Sequence, residues 1–430
     1  MRALDHLIRD YTEPIKDPVW NNILLSPALL RVAAQPAFQK LNGIRQLGPT
    51  YLVYPGATHT RLSHSLGVFH LARRLLVNLL AHAEGPGRMP ESAREPEAVR
   101  AFLCAALLHD LGHYPFAHSL KELQVASHES LTAEGLLRPE LAGVLRREAG
   151  VDPQLVAAIV DARRAGPGGE ALAFYRRLLS GVLDPDKLDY LNRDAYFCGV
   201  PHGVQDVDFA LAELRALPVG LGVTRKGLTA VESILFSKYL MYRSVYWHKT
   251  VRIATAMIKK AVLLALEAGA LRPEELYGLD DQEFFALTAR SPFPPLELAG
   301  RVARRQLFKQ VASRPLVAED PAGTRLATLA ARQATEQAIA REASRELGRP
   351  VPAWHLIIDI PEPISFEIDL PVLEAGVSRP FAEAGSVFTE GAVRGFARSL
   401  RGVSLIAEAD PELAAALGRL GGIRLLELTG

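Results

Sequence analysis

A histidine and an aspartate stand side by side at the end of an apolar segment, as His109 and Asp110 in AVRAFLCAALLHD. A segment this apolar is normally buried, and burying an imidazole and a carboxylate is costly unless something compensates. A metal ion compensates well, because both groups are metal ligands. Neighbouring side chains on a helix point about 100° apart. The two can therefore share one ion only across the helix end, and other ligands must come from elsewhere in the chain.

Two other segments offer such ligands. His64 lies in RLSHSLGVFHLARRL, and Asp184, Asp186, Asp189 and Asp194 lie in LDPDKLDYLNRDAYF. Taken alone, a half-buried, hydrogen-bonded histidine and a solvated acidic helix face explain these residues more simply. The tyrosines and leucines among the acids indicate partial burial instead. Two imidazoles and two carboxylates would form a mixed nitrogen and oxygen site that suits Fe, Mn, Zn, Ni or Co, with Mg less natural.

Helices dominate the elements that must position these residues, since the chain is rich in Ala, Leu, Arg and Glu. Helical patterns cover residues 26–47, 61–82, 128–164, 171–183, 229–268 and 298–348. Residues 14–25 predict a short extended segment or hairpin, and residues 355–360 and 402–407 are strand-like. We predict a mostly α fold, with a helical core over residues 1–290 and a smaller α/β part over residues 291–430 for packing or oligomerisation.

Composition narrows the class of protein. The net charge of +1 gives no electrostatic reason to expect nucleic acid or an anionic membrane as a partner. Two cysteines cannot staple a chain of 430 residues, which favours the reducing cytoplasm. The N-terminus has no hydrophobic signal core, and no apolar run approaches the roughly 18 residues of a transmembrane helix.

Several segments in consecutive order carry a family resemblance between about residues 10 and 260. They are DPVWNNILL, QPAFQKLNGIRQLGPTYLVYPGATHTRLSHSLGV, LLHDLGHYPFAHSL, SHES, LDPDKLDYLNRD and YRSVYWHK. The series resembles the HD-domain phosphohydrolases, and more closely the deoxynucleoside triphosphate (dNTP) triphosphohydrolases related to the human SAM-and-HD-domain enzyme, here without a SAM domain. The resemblance implies an HD-domain helical core.

The resemblance also implies roles for individual residues. The implied ligands of the divalent metal ion are His64, His109, Asp110 and Asp186. A histidine among His113, His118 and His128 would protonate the leaving oxygen while metal-activated water attacks the α-phosphorus, because imidazole titrates near neutral pH. Ser127 would cap the helix that His128 begins.

Substrate contacts follow from the same resemblance. Arg61, Lys187, Tyr190 and Lys238 would meet the triphosphate, Asp194 and Gln46 would contact the sugar, and Leu47 and Tyr246 would crowd its 2′ position. A core leucine is an equally good explanation for Leu47.

The chain departs from the family pattern at several positions. Lys238 stands where the family has an arginine, so it can supply positive charge but not the paired hydrogen bonds of a guanidinium. Lys121 replaces the carboxylate that orients His118, so either Glu122 substitutes for it or the role of His118 is weakened. Ala34 and Asn42 replace the acid and arginine that read an activating guanine nucleotide, which favours activity without an activator or with a different one.

The implied activity is hydrolysis of a dNTP to deoxynucleoside and tripolyphosphate by a homo-oligomer, a dimer or tetramer. Two alternatives stay open. One is another HD phosphohydrolase, a nucleotidase or phosphodiesterase. The other is a non-catalytic nucleotide sensor.

Overall fold

The computed structural model describes residues 3–427 except residues 83–88, 219, 317–323, 367, 369, 375 and 376. Most of the described residues are helical. The helices of the first 200 residues are α1 (Ala3–Arg9), α2 (Pro27–Ala33), α3 (Pro36–Gln39), α4 (Arg61–Ala81), α5 (Glu91–Arg94), α6 (Pro96–Leu108), α7 (His128–Leu136), α8 (Pro139–Val144), α9 (Pro153–Val160), α10 (Gly169–Leu179) and α11 (Pro185–Cys198). The later ones are α12 (Val207–Ala212), α13 (Leu228–Met241), α14 (Lys249–Glu267), α15 (Asp281–Arg290), α16 (Glu297–Ala303), α17 (Leu329–Leu347), α18 (Glu390–Leu400) and α19 (Pro411–Arg419).

The strands form small sheets at the edges of the helical core. They are β1 (Glu13–Asp17), β2 (Asn21–Leu25), β3 (Leu214–Leu217), β4 (Gly220–Thr224), β5 (Lys309–Pro315), β6 (Leu356–Asp359), β7 (Val372–Glu374), β8 (Val377–Arg379) and β9 (Gly402–Ala407). Strands β1 and β2 form an antiparallel hairpin, β3-β4-β7-β8 a four-stranded sheet and β5-β9-β6 a three-stranded antiparallel sheet. The architecture is therefore mostly α with a smaller α/β C-terminal part, as the sequence predicts.

Helix α4 lies at the centre of the core and packs against both α6 and α11. Helix α6 is buried from Ala101 to Leu108, which explains its almost uniformly apolar sequence. These three helices carry the predicted ligands: His64 on the first turn of α4, His109 and Asp110 just after α6, and Asp186 on the first turn of α11. Packing of α4 between its two neighbours thus brings the three sequence segments to one place.

The predicted elements agree with the structure in most places, but strand β5 interrupts the helical stretch predicted over residues 298–348. The hairpin at residues 14–25, the helix at residues 61–82 and the strands near residues 356 and 402 are confirmed. The prediction of one helical stretch over residues 26–47 is wrong at its centre. Gln35 is extended (φ −68°, ψ 140°), because the residue before a proline disfavours the α conformation, and Pro36 starts a separate short helix.

The C-terminal part forms its own hydrophobic cluster and also packs on the main helical core. Helices α17 and α19 pack together near β6 and β5, whereas Phe366, Leu370, Phe381 and Phe388 pack into the main helical core. The boundary at residue 291 stays a prediction. Within the described ranges, no helix is both long and apolar enough to span a membrane.

Candidate active site

The predicted ligands from α4, α6 and α11 converge. One ligand atom each from His64, His109 and Asp186 lies within 4.8 Å of the others. His64 Nε2 is 3.0 Å from Asp186 Oδ1, and the His64 and His109 rings meet edge to face with centroids 5.4 Å apart. The fourth predicted ligand is adjacent, with Asp110 Oδ1 3.3 Å from His109 Nε2.

Hydrogen bonds on the far side of each imidazole orient its Nε2 toward the cluster. His109 Nδ1 lies 2.9 Å from the carbonyl oxygen of Ala106, and His64 Nδ1 lies 2.8 Å from Asp189 Oδ2. His109 Nε2 is buried and has no hydrogen-bond partner among the described residues. Such an orphaned nitrogen beside two carboxylates fits a divalent cation, because metal-bound histidines commonly donate their second N–H to a carbonyl or carboxylate.

Charges around the cluster favour anionic carboxylates. Burial alone would raise the pKa of Asp110, but His113, His109 and Arg61 lower it well below its usual range. Burial likewise opposes ionisation of Asp186, but the hydrogen bond from His64 and the positive charge of that ring outweigh burial and lower the pKa of Asp186. Both carboxylates are therefore anionic at neutral pH, which is the form that binds a cation.

Arg61 is the first residue of α4 and is buried, 5% exposed. Its Nη1 donates to Asp110 Oδ2 at 2.7 Å. The guanidinium also lines the cavity beside the cluster. Arg61 therefore stands between the predicted metal ligands and the space where a phosphate would lie, and it has donors beyond the one that Asp110 accepts.

A second histidine cluster adjoins the first. The rings of His113, His118 and His128 lie with centroids 3.9 to 5.2 Å apart, and His113 Nε2 is 3.2 Å from His118 Nε2. His113 Nδ1 lies 3.0 Å from Asp110 Oδ1. Ser127 caps α7, as predicted, and so holds His128 at the start of that helix. Burial, with the charge of Arg61, lowers the pKa of all three imidazoles, that of His128 to about 4.

A cavity of about 430 Å³ opens beside both clusters, a size suited to a small ligand. The predicted sugar-contacting residues line it, namely Gln46, Leu47, Asp194 and Tyr246, together with Tyr190, His118 and His128. A π-helical stretch, Tyr242–Tyr246, follows α13 and carries Tyr246 to the cavity. Gln46 Oε1 is buried without a partner among the described residues, so it can accept a hydrogen bond from a ligand hydroxyl.

Two predicted triphosphate contacts are placed elsewhere. Lys187 Nζ donates to Asp184 Oδ2 at 2.7 Å, and Lys187 lines a neighbouring cavity of about 480 Å³ that also borders His109, His128 and Asp186. Lys238 Nζ donates to the carbonyl oxygen of Ser365 at 2.6 Å and does not line the main cavity. Each lysine side chain is oriented by the protein acceptor to which it donates, Asp184 for Lys187 and the Ser365 carbonyl for Lys238.

Glu122 does not replace the missing carboxylate beside His118. Its oxygens accept hydrogen bonds from Lys259 Nζ at 2.5 Å and from Arg332. Glu122 therefore links α14 to α17. Lys121, the residue in the family's carboxylate position, lines the cavity instead. Among the described residues His118 therefore has no carboxylate partner of this kind, and it contacts His113 and His128 instead.

Sequence reasoning missed three groups of residues. Asp189 supports His64, and His59 Nε2 lies 2.8 Å from Asp194 Oδ1. The C-terminal part, for which we predicted only packing or oligomerisation, lines the cavity with Asp359, Ile360, Glu362, Pro363 and Ile364. Tyrosines and leucines surround Asp189 in the sequence and indicate that it is buried, which was a signal for its role. The contribution of the C-terminal part has no local signal in the sequence.

The comparisons with known proteins identify two matching families. Residues 61–187 match the HD domain, and residues 206–389 match the HD associated region. The first match begins at Arg61 and ends at Lys187, so it contains all four predicted metal ligands.

Similar whole proteins extend this result. The chain is 33% identical over 301 residues to the uncharacterized protein MJ1154 of Methanocaldococcus jannaschii, covering 69% of this chain and 59% of that one. It is 27% identical over 351 residues to the human deoxynucleoside triphosphate triphosphohydrolase SAMHD1, covering 70% and 55%. The chain thus spans little more than half the length of these relatives. The structure of a hypothetical protein from Aquifex aeolicus matches with a TM-score of 0.70 at 25% identity, covering 94% of this chain and 99% of that one.

Proposed function

We propose that this chain, whose residues 61–187 match the HD domain, hydrolyses deoxynucleoside triphosphates to a deoxynucleoside and tripolyphosphate. One observation carries the proposal. A single cavity joins the predicted metal ligands and Arg61 at one side to Gln46, Leu47 and Tyr246. A general phosphomonoesterase would not require groups that recognise a deoxyribose next to the metal ligands.

Hydrolysis at the α-phosphorus breaks the bond between that atom and the 5′ oxygen of the sugar. Water adds its hydroxyl to the phosphorus, and the 5′ oxygen takes up a proton. A divalent cation held by His64, His109 and Asp186, with Asp110 beside them, would lower the pKa of water and neutralise phosphate charge. The same donor set accommodates Fe, Mn, Zn, Ni, Co or Mg.

The chain's own residues would handle the triphosphate and the proton. Arg61 offers its remaining N–H donors to the phosphate oxygens, where negative charge accumulates during the reaction. The three histidines, His113, His118 and His128, are neutral in the free protein. A bound triphosphate favours their charged form, because a nearby anion raises an imidazole pKa, and one of them can then protonate the 5′ oxygen.

The sugar side of the cavity would select a deoxyribose. Asp194 and Gln46 present acceptors for the 3′ hydroxyl, while Leu47 and Tyr246 occupy the space where a 2′ hydroxyl would lie. A buried ribose hydroxyl left without a partner is strongly disfavoured. The proposal therefore predicts higher kcat/KM for dNTPs than for NTPs.

The test is incubation of the purified protein with each dNTP and each NTP, with Mn²⁺ or Mg²⁺, and separation of the products by chromatography. Deoxynucleoside plus tripolyphosphate is the expected result, and His109→Ala should abolish it. Release of pyrophosphate or single phosphate would instead identify a different HD phosphohydrolase. Binding of dNTP and metal without any product would indicate a nucleotide sensor.

We propose a homo-oligomer, a dimer or tetramer, as the working form, on the resemblance to the family. Light scattering of the purified protein, with and without dNTPs and GTP, measures its mass. The same additions in the activity assay show whether a nucleotide activator is needed. Because Ala34 and Asn42 replace the guanine-reading pair of the family pattern, turnover without GTP is the expected result.

A further inference from the structure

We infer that Asp189 is a positioning residue that fixes the orientation and tautomer of His64 as a metal ligand. Arg193 and Asp17 extend this support to the N-terminal hairpin. The inference rests on the metal site of the proposed function, but on neither the dNTP substrate nor the products. It also gives a role to the DPVW segment at residues 17–20, for which the proposed reaction supplies none.

Asp189 lies one turn after Asp186 on α11 and is completely buried, 0% exposed. Its Oδ2 lies 2.8 Å from His64 Nδ1, on the opposite side of the ring from the Nε2 that faces Asp186. A carboxylate at this position accepts a hydrogen bond from the Nδ1–H group, so that the Nε2 lone pair is the one that binds a cation. A carboxylate that supports a metal-bound histidine in this way raises the basicity of the ligand and fixes its ring.

Four donors surround the Asp189 carboxylate. Arg193, one turn later on α11 and also 0% exposed, donates from Nε to Oδ2 at 2.9 Å and from Nη2 to Oδ1 at 3.0 Å. Trp20 Nε1 donates to Oδ1 at 2.5 Å. With His64, each oxygen therefore accepts two hydrogen bonds, and the carboxylate cannot rotate without losing several of them.

The N-terminal hairpin holds the outer end of this network. Asp17 Oδ2 accepts from Arg193 Nη1 at 2.7 Å. Its Oδ1 accepts from the backbone N–H groups of Val19 and Trp20 at 2.9 and 2.8 Å, which fixes the turn between β1 and β2. An unbroken chain of buried hydrogen bonds thus runs from that turn through Arg193 and Asp189 to His64.

Gly67 gives independent evidence that this network must approach α4 closely. Gly67 lies one turn after His64, and a Cβ atom there would stand 1.8 Å from Asp189 Oδ1 and 2.5 Å from Arg193 Nη2. Real Cβ atoms essentially never approach a neighbour so closely. The side chain of any other residue would displace the carboxylate from His64. The glycine in RLSHSLGV is therefore explained by the ion pair that packs on it.

The experiment measures metal binding rather than turnover. Mn²⁺ affinity is determined by electron paramagnetic resonance of the free ion, and the visible spectrum of bound Co²⁺ reports the ligand geometry. We expect Asp189→Asn and Gly67→Ala to weaken Mn²⁺ binding roughly 10- to 100-fold and to change the Co²⁺ spectrum. Asp17→Asn, three hydrogen bonds away from His64, should weaken binding by a smaller factor.

Glu336→Gln is the matched control, because Glu336 forms a buried ion pair with Lys260 that has no contact with this network. It should lower stability without changing Mn²⁺ affinity or the Co²⁺ spectrum. Wild-type Mn²⁺ affinity in folded Asp189→Asn or Gly67→Ala, judged by circular dichroism, would overturn the inference. If Asp189→Asn does not fold, Gly67→Ala and Asp17→Asn still decide. Wild-type protein that binds Mn²⁺ but hydrolyses no dNTP would contradict the proposed substrate and leave this inference intact.

Discussion

The Tyr246 hydroxyl donates to Asp194 Oδ2 at 2.7 Å, while His59 Nε2 lies 2.8 Å from Asp194 Oδ1. The tyrosine ends the π-helical stretch after α13, and the aspartate lies on α11. Their bond therefore ties together the two elements that border the sugar side of the cavity. Because Asp194 is buried and held at both oxygens, its position is set before any ligand arrives.

Removal of the Tyr246 hydroxyl should loosen Asp194 and weaken sugar recognition. A hydrogen bond to a charged group contributes about 1.5–3 kcal/mol, so we expect Tyr246→Phe to lower kcat/KM for dNTPs roughly 10- to 100-fold. Steady-state kinetics with a chromatographic product assay measures the effect. Tyr239→Phe is the control, because the Tyr239 hydroxyl accepts an exposed hydrogen bond from Arg243. Equal kinetics for Tyr246→Phe and wild type would show that Asp194 needs no such support.

Leu47 should decide between deoxyribose and ribose. It precedes the 3₁₀ turn Gly48–Leu52 and lines the cavity. Leu47→Ala removes bulk beside the predicted 2′ position, and we expect the ratio of NTP to dNTP turnover to rise roughly tenfold, the effect of about 1.4 kcal/mol. Leu30→Ala, on the exposed face of α2, should leave the ratio unchanged. If Leu47→Ala lowers both activities equally, Leu47 is a packing residue and not a sugar filter.

The metal cluster was predictable because the family resemblance assigns its ligands together. The local pattern alone predicts the helices that carry them, and it singles out only His109 and Asp110, at the end of an apolar helix, as metal ligands. The structure brings His64, His109 and Asp186 together as predicted. The assignment of these residues as ligands stays a prediction until a bound ion is measured.

Contacts between distant segments were not predictable in this way. Arg252 donates one hydrogen bond to each carboxylate oxygen of Asp359, 107 residues away. This pair joins β6 to the cavity wall formed by α14. No local pattern links two such residues. The orientations of Lys187 and Lys238 were also hidden, because long side chains take whichever acceptor is nearest: the capping Asp184 for one and the Ser365 carbonyl for the other. Periodicity places a residue on a face but does not choose its partner.

Metal binding should strengthen as the pH rises. Burial alone would lower the pKa of His64, but the carboxylates of Asp186 and Asp189 outweigh it and raise the pKa to about 10. Below that pH the metal-free protein holds a proton on His64 that a cation must displace. We expect Mn²⁺ affinity to rise by up to tenfold per pH unit between pH 6 and 9, with release of about one proton on binding. Calorimetry in buffers of different ionisation enthalpy counts the protons, and a pH-independent affinity would contradict the prediction.

Acid should destabilise the fold through His70. Its ring stacks against Trp20 with centroids 6.0 Å apart, and its Nδ1 is buried without a partner among the described residues. Burial, reinforced by Arg74 and Arg73, lowers its pKa from 6.5 to about 4. Between these values the unfolded chain takes up a proton that the folded protein does not. Its contribution to stability is therefore complete above pH 6.5 and is lost as the pH falls toward 4, on the order of 2–3 kcal/mol.

His70→Phe tests this assignment, because phenylalanine keeps an apolar ring against Trp20 and cannot take up a proton. Urea unfolding between pH 4 and 8 measures the free energy of unfolding for wild type and variant. We expect the variant's curve to fall less steeply below pH 6.5, since one fewer proton is bound on unfolding. His82→Phe, at the exposed C-terminal end of the same helix, should keep the wild-type slope. If His70→Phe has the wild-type slope as well, the acid sensitivity arises from other groups, such as the histidine cluster beside Arg61.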